Sequence, residues 1–167
     1  GLAGKGNGRE AKLSFGGHVL MENRHGLAVD VLVTEANGRA EREAGLKMLR
    51  RLRQRHRKRR LTLGADKGYD TGDFVEGCRD LGVTPHVAQN INPQRGSRID
   101  GRTVTHLGYL ASQRIRKRVA EIFGWPKTVA GGRNLRSIGD QRNQLWAHPA
   151  PRAYHRYRPG TPTPGRP

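Results

Sequence analysis

The run Leu63-Gly64-Ala65-Asp66-Lys67-Gly68-Tyr69-Asp70 is the segment whose residue types and order could do chemistry. An acidic residue at the carboxyl end of a strand, followed by a glycine-bearing turn into a helix, is held on rigid scaffold beside the crevice of an α/β sheet. A carboxylate placed there can ligate Mg²⁺, a hard cation that prefers oxygen. The same pattern also serves a local purpose, with Asp66 capping the turn that follows it. Spacing alone leaves both readings open. Asp70 or Thr71 is placed to cap the next helix.

The elements that must position this segment follow from periodicity. Residues 18–21 and 27–33 are rich in β-branched and apolar side chains around the turn-forming Asn23-Arg24-His25-Gly26, which predicts an antiparallel hairpin or meander. Ala40, Ala44, Met48, Leu49 and Leu52 recur at helical spacing, which predicts an amphipathic helix over about 39–57 with an Arg/Lys outer face. Residues 61–65 read as a short strand ending in Asp66. Phe74, Val75, Cys78 and Leu81 form the apolar stripe of a helix that Gly82 ends, and residues 83–88 read as a strand in which Pro85 marks an edge or a bulge. Residues 89–107 lack periodicity and read as a flexible loop. A helix is expected from Ala111 or Ser112 to about Phe123, with Ile115, Val119, Ile122 and Phe123 on one face and Pro126 as its stop. Residues 1–10 are expected to be mobile and the Pro/Arg-rich 147–167 disordered. The order predicts an α/β or α+β fold with a mixed sheet.

With 32 Lys+Arg against 14 Asp+Glu, the chain of 167 residues carries a formal +18, which calls for a polyanionic partner. Basic surfaces gain affinity for nucleic acid by releasing condensed counterions. No apolar run is long enough for a membrane span, and residues 1–6 lack a signal-peptide core, so neither a membrane protein nor secretion is expected. The single Cys78 fits a reducing compartment. The densest basic run contributes Arg50, Arg51, Arg53, Arg55, Arg57, Lys58, Arg59 and Arg60, which either track phosphates or form a solvated helix end. Arg114, Arg116, Lys117, Arg118 and Lys127 make a second basic group. His18, His25, His86 and His106 are scattered singly and predict no zinc site. Gly4-Lys5-Gly6-Asn7-Gly8 lacks the phosphate-loop form, so no nucleotide or other small-molecule substrate is expected.

The string GADKGYDTGDFVEGCRDLGVTPHVAQN, followed by IDGRTVTHLGYLASQRIRKRVAEIFGWPKTVAGG, resembles the C-terminal half of the catalytic core of bacterial insertion-sequence transposases of the DDE class. GHVLMENRHGLAVDVLVTEANGRAEREAGLKML is similar to the segment just upstream in that family, so the resemblance covers about residues 5–147. It implies a ribonuclease H-like fold, here a partial one. Three carboxylates, Asp, Asp and Glu, would hold two Mg²⁺ or Mn²⁺ ions for in-line attack on DNA phosphodiesters. By motif Asp66 is the second Asp, with Tyr69 and Asp70 as turn and cap residues. The basic groups would position the DNA backbone.

Three departures from the family pattern follow. The family's Glu is written as Arg, three residues, Glu, six residues, Lys. Here Arg116 and Lys127 frame Ala120 at that place, with Glu121 beside it. Advancing about 100° per residue from Ile115 puts position 120 near 140°, bordering the apolar face, and Glu121 near 240°, pointing away. The first Asp has no counterpart upstream of Lys12, and Asp30 lies in the wrong part of the pattern. Beyond residue 147 the apolar closing helix gives way to a Pro/Arg/Gly string, which reads as a frameshifted end.

The resemblance thus implies a partial catalytic core over 1–146 in a truncated transposase. It would bind DNA, would be deficient in metal-dependent strand cleavage and transfer, and leaves enzymatic activity open. The alternative is a non-catalytic basic regulator or remnant. The partners implied are DNA and either full-length transposase or a second copy, in the bacterial cytoplasm at the nucleoid. Marginal stability without a sharp unfolding transition is expected.

Overall fold

The computed structural model describes residues 2–3, 12–13, 15–92, 94 and 96–120. A short antiparallel pair, β1 (Leu2–Ala3) with β2 (Lys12–Leu13), precedes the hairpin β3 (Phe15–Glu22) and β4 (Leu27–Glu35). The hairpin turn closes through the Gly26 amide, which donates to the Glu22 carbonyl at 3.0 Å. Gly26 adopts φ 66°, a region costly for any residue with a Cβ.

The hairpin register shifts between Leu20, opposite Asp30, and Met21, opposite Ala28, so Val29 is the extra residue of a β-bulge. A bulge puts two successive side chains on one face. Val29 packs with Leu20 and Leu32 on the main core, while Ala28, Val31 and Val33 pack with Phe15 and Val19 on the other face. Asp30 thereby joins Val29 on the main-core side, where it meets the next helix.

That helix is α1 (Ala40–Arg55), with Ala40, Ala44, Met48 and Leu49 buried as the spacing requires. After it comes a strand–helix–strand unit: β5 (Leu61–Ala65), a 3₁₀ turn (Lys67–Tyr69), α2 (Gly72–Asp80) and β6 (Val83–Val87). β5 and β6 pair in parallel without a break from Leu61 opposite Val83 to Ala65 opposite Val87. Pro85 costs this pairing nothing, because the Ala88 amide donates to the Ala65 carbonyl and the alternation turns residue 85 toward the free edge. Strand alternation also divides the two faces. Leu61, Leu63, Ala65, Val83 and Val87 pack on the core with Phe74, Val75 and Cys78, and Gly64 and His86 face the other way. Gly82, at φ 64°, ends α2 as the sequence predicts.

α3 (Gly101–Thr105) and α4 (Leu107–Ile115) cover that second face, and a 3₁₀ turn (Arg116–Arg118) follows. The result is a mixed α/β arrangement of small sheets between flanking helices, consistent with a partial ribonuclease H-like fold. Parallel and antiparallel pairing are both present, in separate two-stranded sheets.

Two expectations need correction. The loop expected over 89–107 contains α3, whose N-terminus is capped by Asp100 accepting from the Thr103 amide at 2.7 Å. The last helix begins at Leu107 and not at Ala111 or Ser112. His106 caps it through Nδ1, which accepts from the Gly108 amide at 3.0 Å, and histidine is not among the usual capping signals. The expectations for Ile122, Phe123, Pro126 and the 147–167 tail lie outside the described residues.

Burial gives this fold an acid-sensitive margin. His18 shares a hydrogen bond with Thr34 Oγ1 at 2.8 Å, and His86 one with Ser112 Oγ at 2.7 Å. Burial holds the pKa of each below the ordinary 6.5, with Glu41 opposing at His18 and His106 reinforcing at His86. The unfolded chain takes these protons first. Stability is therefore full above about pH 6.5 and is lost as pH falls through the depressed folded values. The urea midpoint is expected to drop between pH 7.5 and 5, less steeply in His86→Gln. A flat profile would contradict the assignment.

Candidate active site and basic surface

Asp66 stands at the carboxyl end of β5, exposed, where the sequence places it. One carboxylate oxygen accepts from the Gly68 amide at 2.8 Å, so Asp66 caps the 3₁₀ turn that re-aims the chain toward α2. The local reading is thus realised, and Asp66 also lines the cleft beside β5. Glu41, at the start of α1, reaches the same end of that cleft. Both carboxylates act on Tyr69, whose hydroxyl pKa is pushed up to about 12 by burial first, then by Glu41 and Asp66, against Arg42. Sequence reasoning missed Glu41. Its acidic position in a first helical turn reads as complementing the helix dipole, and nothing local relates it to a residue 25 positions on.

Asp70 does not cap α2. Thr71 stands at the cap, its buried hydroxyl making no hydrogen bond. The Asp70 carboxylate is buried and turned the other way, Oδ2 accepting from the Asn90 amide at 2.7 Å and Oδ1 from the Arg98 amide at 2.8 Å. A carboxylate holding two amides from a segment 20 and 28 residues away is a clamp on that segment.

α4 and the 3₁₀ turn after it approach β5 at Gly64. A Cβ there would lie 3.3 Å from the Ser112 carbonyl and 3.4 Å from Arg116 Cβ, so the missing side chain is what lets α4 come so close. Gln113 ties α4 to the adjacent strand, its amide donating to the His86 carbonyl at 2.6 Å, and Tyr109 donates to the Val87 carbonyl at 3.0 Å. The uniform helical count past Ile115 needs correcting. Residues 116–118 wind as 3₁₀, about 120° per residue in place of 100°, which carries position 120 some 60° further round. Ala120 is accordingly exposed and does not border the buried face. Glu121 and Lys127 lie outside the described residues.

Divalent-metal chemistry needs converging ligands. Among the described residues no group of three or more His, Cys, Asp or Glu side chains gathers, and Asp66 has one oxygen already engaged. The described residues do not fit a two-metal site. His86 and His106, scattered in sequence, come to 6.4 Å between ring centroids, with Tyr109 edge-on to His86 at 5.8 Å. This is a packed ring cluster around the Ser112 hydrogen bond.

The basic run divides into tied and free members. Arg51 Nη1 lies 3.4 Å and Arg55 Nη2 3.8 Å from the two oxygens of Asp30, which the bulge has turned onto α1. Arg53 donates to the Arg59 carbonyl at 2.6 Å. Arg50, Arg57, Lys58, Arg59 and Arg60 are exposed. α1 ends at Arg55, so the last of these stand on the connection to β5 and not on a helix. In the second group, Arg114 and Lys117 are exposed. Arg116 is half-buried on Gln113 at 2.8 Å, and Arg118 donates to the Asn23 carbonyl at 3.3 Å.

One cleft of about 1010 Å³ runs between β3 and β5, bounded by residues 17–22 on one side and 61–66 on the other. Met48, Leu49 and Leu52 of α1 line it, and Arg59, Arg60 and Arg116 stand at its rim. No described helix is long and apolar enough to cross a membrane. A family described as the transposase DDE domain matches residues 3–150. No curated protein and no solved structure matches the chain.

Proposed function

The chain belongs to the transposase DDE-domain family, and from that premise we propose that it is a partial DDE core that binds DNA and is deficient in strand cleavage and transfer. A transposase-related function follows from the family itself, as does an expected DNA partner and use of a divalent metal.

The observation that carries the deficiency is at position 120. Alanine stands there, exposed, where the family pattern calls for the third carboxylate. Asp66 is the carboxylate that matches the motif, and Asp30 and Asp70 are each committed to other partners. Asp66 and Glu41, with no third His, Cys, Asp or Glu side chain gathered beside them among the described residues, do not make a ligand set for two hard cations. No step is therefore assigned to a metal in this chain. What its own residues supply is charge: Arg50, Arg57, Lys58 and Arg59 are four of the exposed members of the basic run, free to meet phosphates.

Duplex DNA is expected to bind with a steep salt slope. Four phosphate contacts give a logarithmic slope of about −3.6, an affinity loss of about 150-fold between 50 and 200 mM salt. Charge reversal at Arg57 and Lys58 should flatten it. Supercoiled plasmid with Mg²⁺ or Mn²⁺ should show no nicking above background, and nicking that Asp66→Asn abolishes would overturn the deficiency. Preference for an element's own ends would point to a regulator that competes with full-length transposase, and sequence-blind binding to a spent core.

A further inference from the structure

We propose that the outer face of α4 is a docking surface for an acidic amphipathic helix, which lies antiparallel along it. This goes beyond the DNA reading and uses none of the cations on which that reading rests.

The helical count places one stripe along this face. Winding is about 100° per residue through α4 and about 120° through the 3₁₀ turn after it. Leu107, Leu110, Ala111, Arg114, Lys117 and Ala120 then fall within one arc of about 120°. All six are exposed, Leu107 to 83% and Leu110 to 60%. Tyr109 and Ser112, on the opposite side, are the residues that bury α4 against β6. The exposed positions recur at the spacing by which one helix meets another.

The stripe has two unlike halves, and together they state the occupant's chemistry. Its first half is apolar, its second carries Arg114 and Lys117, and it holds no acid. Neither cation makes an ion pair among the described residues. Leu107 and Leu110 call for apolar side chains three or four residues apart on a partner helix. Arg114 and Lys117 call for carboxylates one to two turns away from them. An antiparallel partner carries those carboxylates in its own first turns, where its helix dipole also favours them.

Other occupants match one half only. Duplex DNA would meet the cations but press its phosphates onto Leu107 and Leu110. A second copy of α4 sets leucines against Arg114 and Lys117 if antiparallel, and arginine against arginine if parallel. A bilayer surface takes up a helix whose cations flank its apolar face, whereas here they continue the same arc. Beyond residue 120 the sequence holds Lys127 and seven arginines against Glu121 and Asp140, so the rest of this chain is basic as well.

Because Cys78 is buried, Ala111→Cys in the full chain gives a selectively reactive thiol on the stripe, to be labelled with a polarity-sensitive bimane. The probe is an alanine-based helical peptide with two glutamates in its first turns and two leucines, three residues apart, after them. Saturable binding is expected, with a blue shift of the label. Arg114→Glu with Lys117→Glu should weaken binding by about tenfold or more, and a peptide with lysines in place of the glutamates should recover it. A misfolded variant could not give that exchange of preference. Absence of saturable binding overturns the proposal, as does binding that the charge reversal leaves unchanged. So does a label already blue-shifted without peptide, whether at every concentration (this chain's own residues on the stripe) or only at high concentration (a second copy). Displacement of the peptide by duplex DNA or by vesicles of anionic phospholipid overturns it too. DNA binding without peptide binding sinks this inference alone, and peptide binding without DNA binding sinks the preceding one alone.

Discussion

Replacing Asp70 with alanine is expected to release the segment from Asn90 to Arg98 and to cost about 3–5 kcal/mol, from two amide hydrogen bonds to a charged, buried acceptor. The loss is local before it is global. Tryptic cleavage at the exposed Arg98 should accelerate about 150-fold or more at the lower end of that range. Asp70→Asn retains one carbonyl acceptor and should fall between. Asp73→Ala, an exposed change in the first turn of α2, should stay within about 1 kcal/mol. Amide exchange separates a clamp from a cap. A clamp loses protection at Asn90 and Arg98, and a cap loses it in the first turn of α2. Unchanged cleavage at Arg98 would remove the clamp.

Cys78 carries the second large effect. The thiol is fully buried on the core face of α2, and burial pushes its pKa up to about 12 from the ordinary 9.0. That rise leaves about a thousandfold less thiolate at pH 8, before any steric exclusion is counted. Ellman's reagent at pH 8 should therefore react at least about a thousandfold more slowly with the folded chain than with the urea-unfolded one. Reaction near the unfolded rate would mean that α2 opens freely. The sign of the linkage is also fixed. The unfolded chain ionises Cys78 and Tyr69 near pH 9 and 10, while the folded chain resists to about 12. Their contribution is thus present below about pH 9 and lost as pH rises through the folded values.

The Cys78 rate bears on the expectation of marginal stability. A thousandfold suppression through opening requires about 4 kcal/mol holding α2 shut, within reach of an ordinary small domain. α2 is closely packed against α1 and the turn before it. Phe74 is buried against Tyr69 at 4.9 Å between centroids, and Gly45 of α1 leaves only 3.1 Å between its would-be Cβ and the Phe74 ring. The exposed Leu107 and Leu110 show that apolar surface on α4 is left uncovered by the described residues.

The sequence by itself determined the hairpin, α1, the strand–helix–strand unit with Gly82 at its end, the placement of Asp66 at a strand terminus, and the alanine at position 120. All of these are local. Strand and helix periods, a turn glycine and a motif's spacing are written within a few residues, where covalent geometry and side-chain alternation decide them. The tertiary structure alone decided the rest. Asp70 became a clamp because its partners are 20 and 28 residues away. Arg51 and Arg55 pair with Asp30 because a one-residue bulge turned it onto α1. His86 found Ser112, and Gly64 found α4, because strand alternation put both on the face that α4 covers. Position 120 turned outward because a single 3₁₀ turn changed the angle per residue. Each is a pairing of groups distant along the chain or a small shift in phase, and neither leaves a local signature, since its energy exists only once the elements have packed.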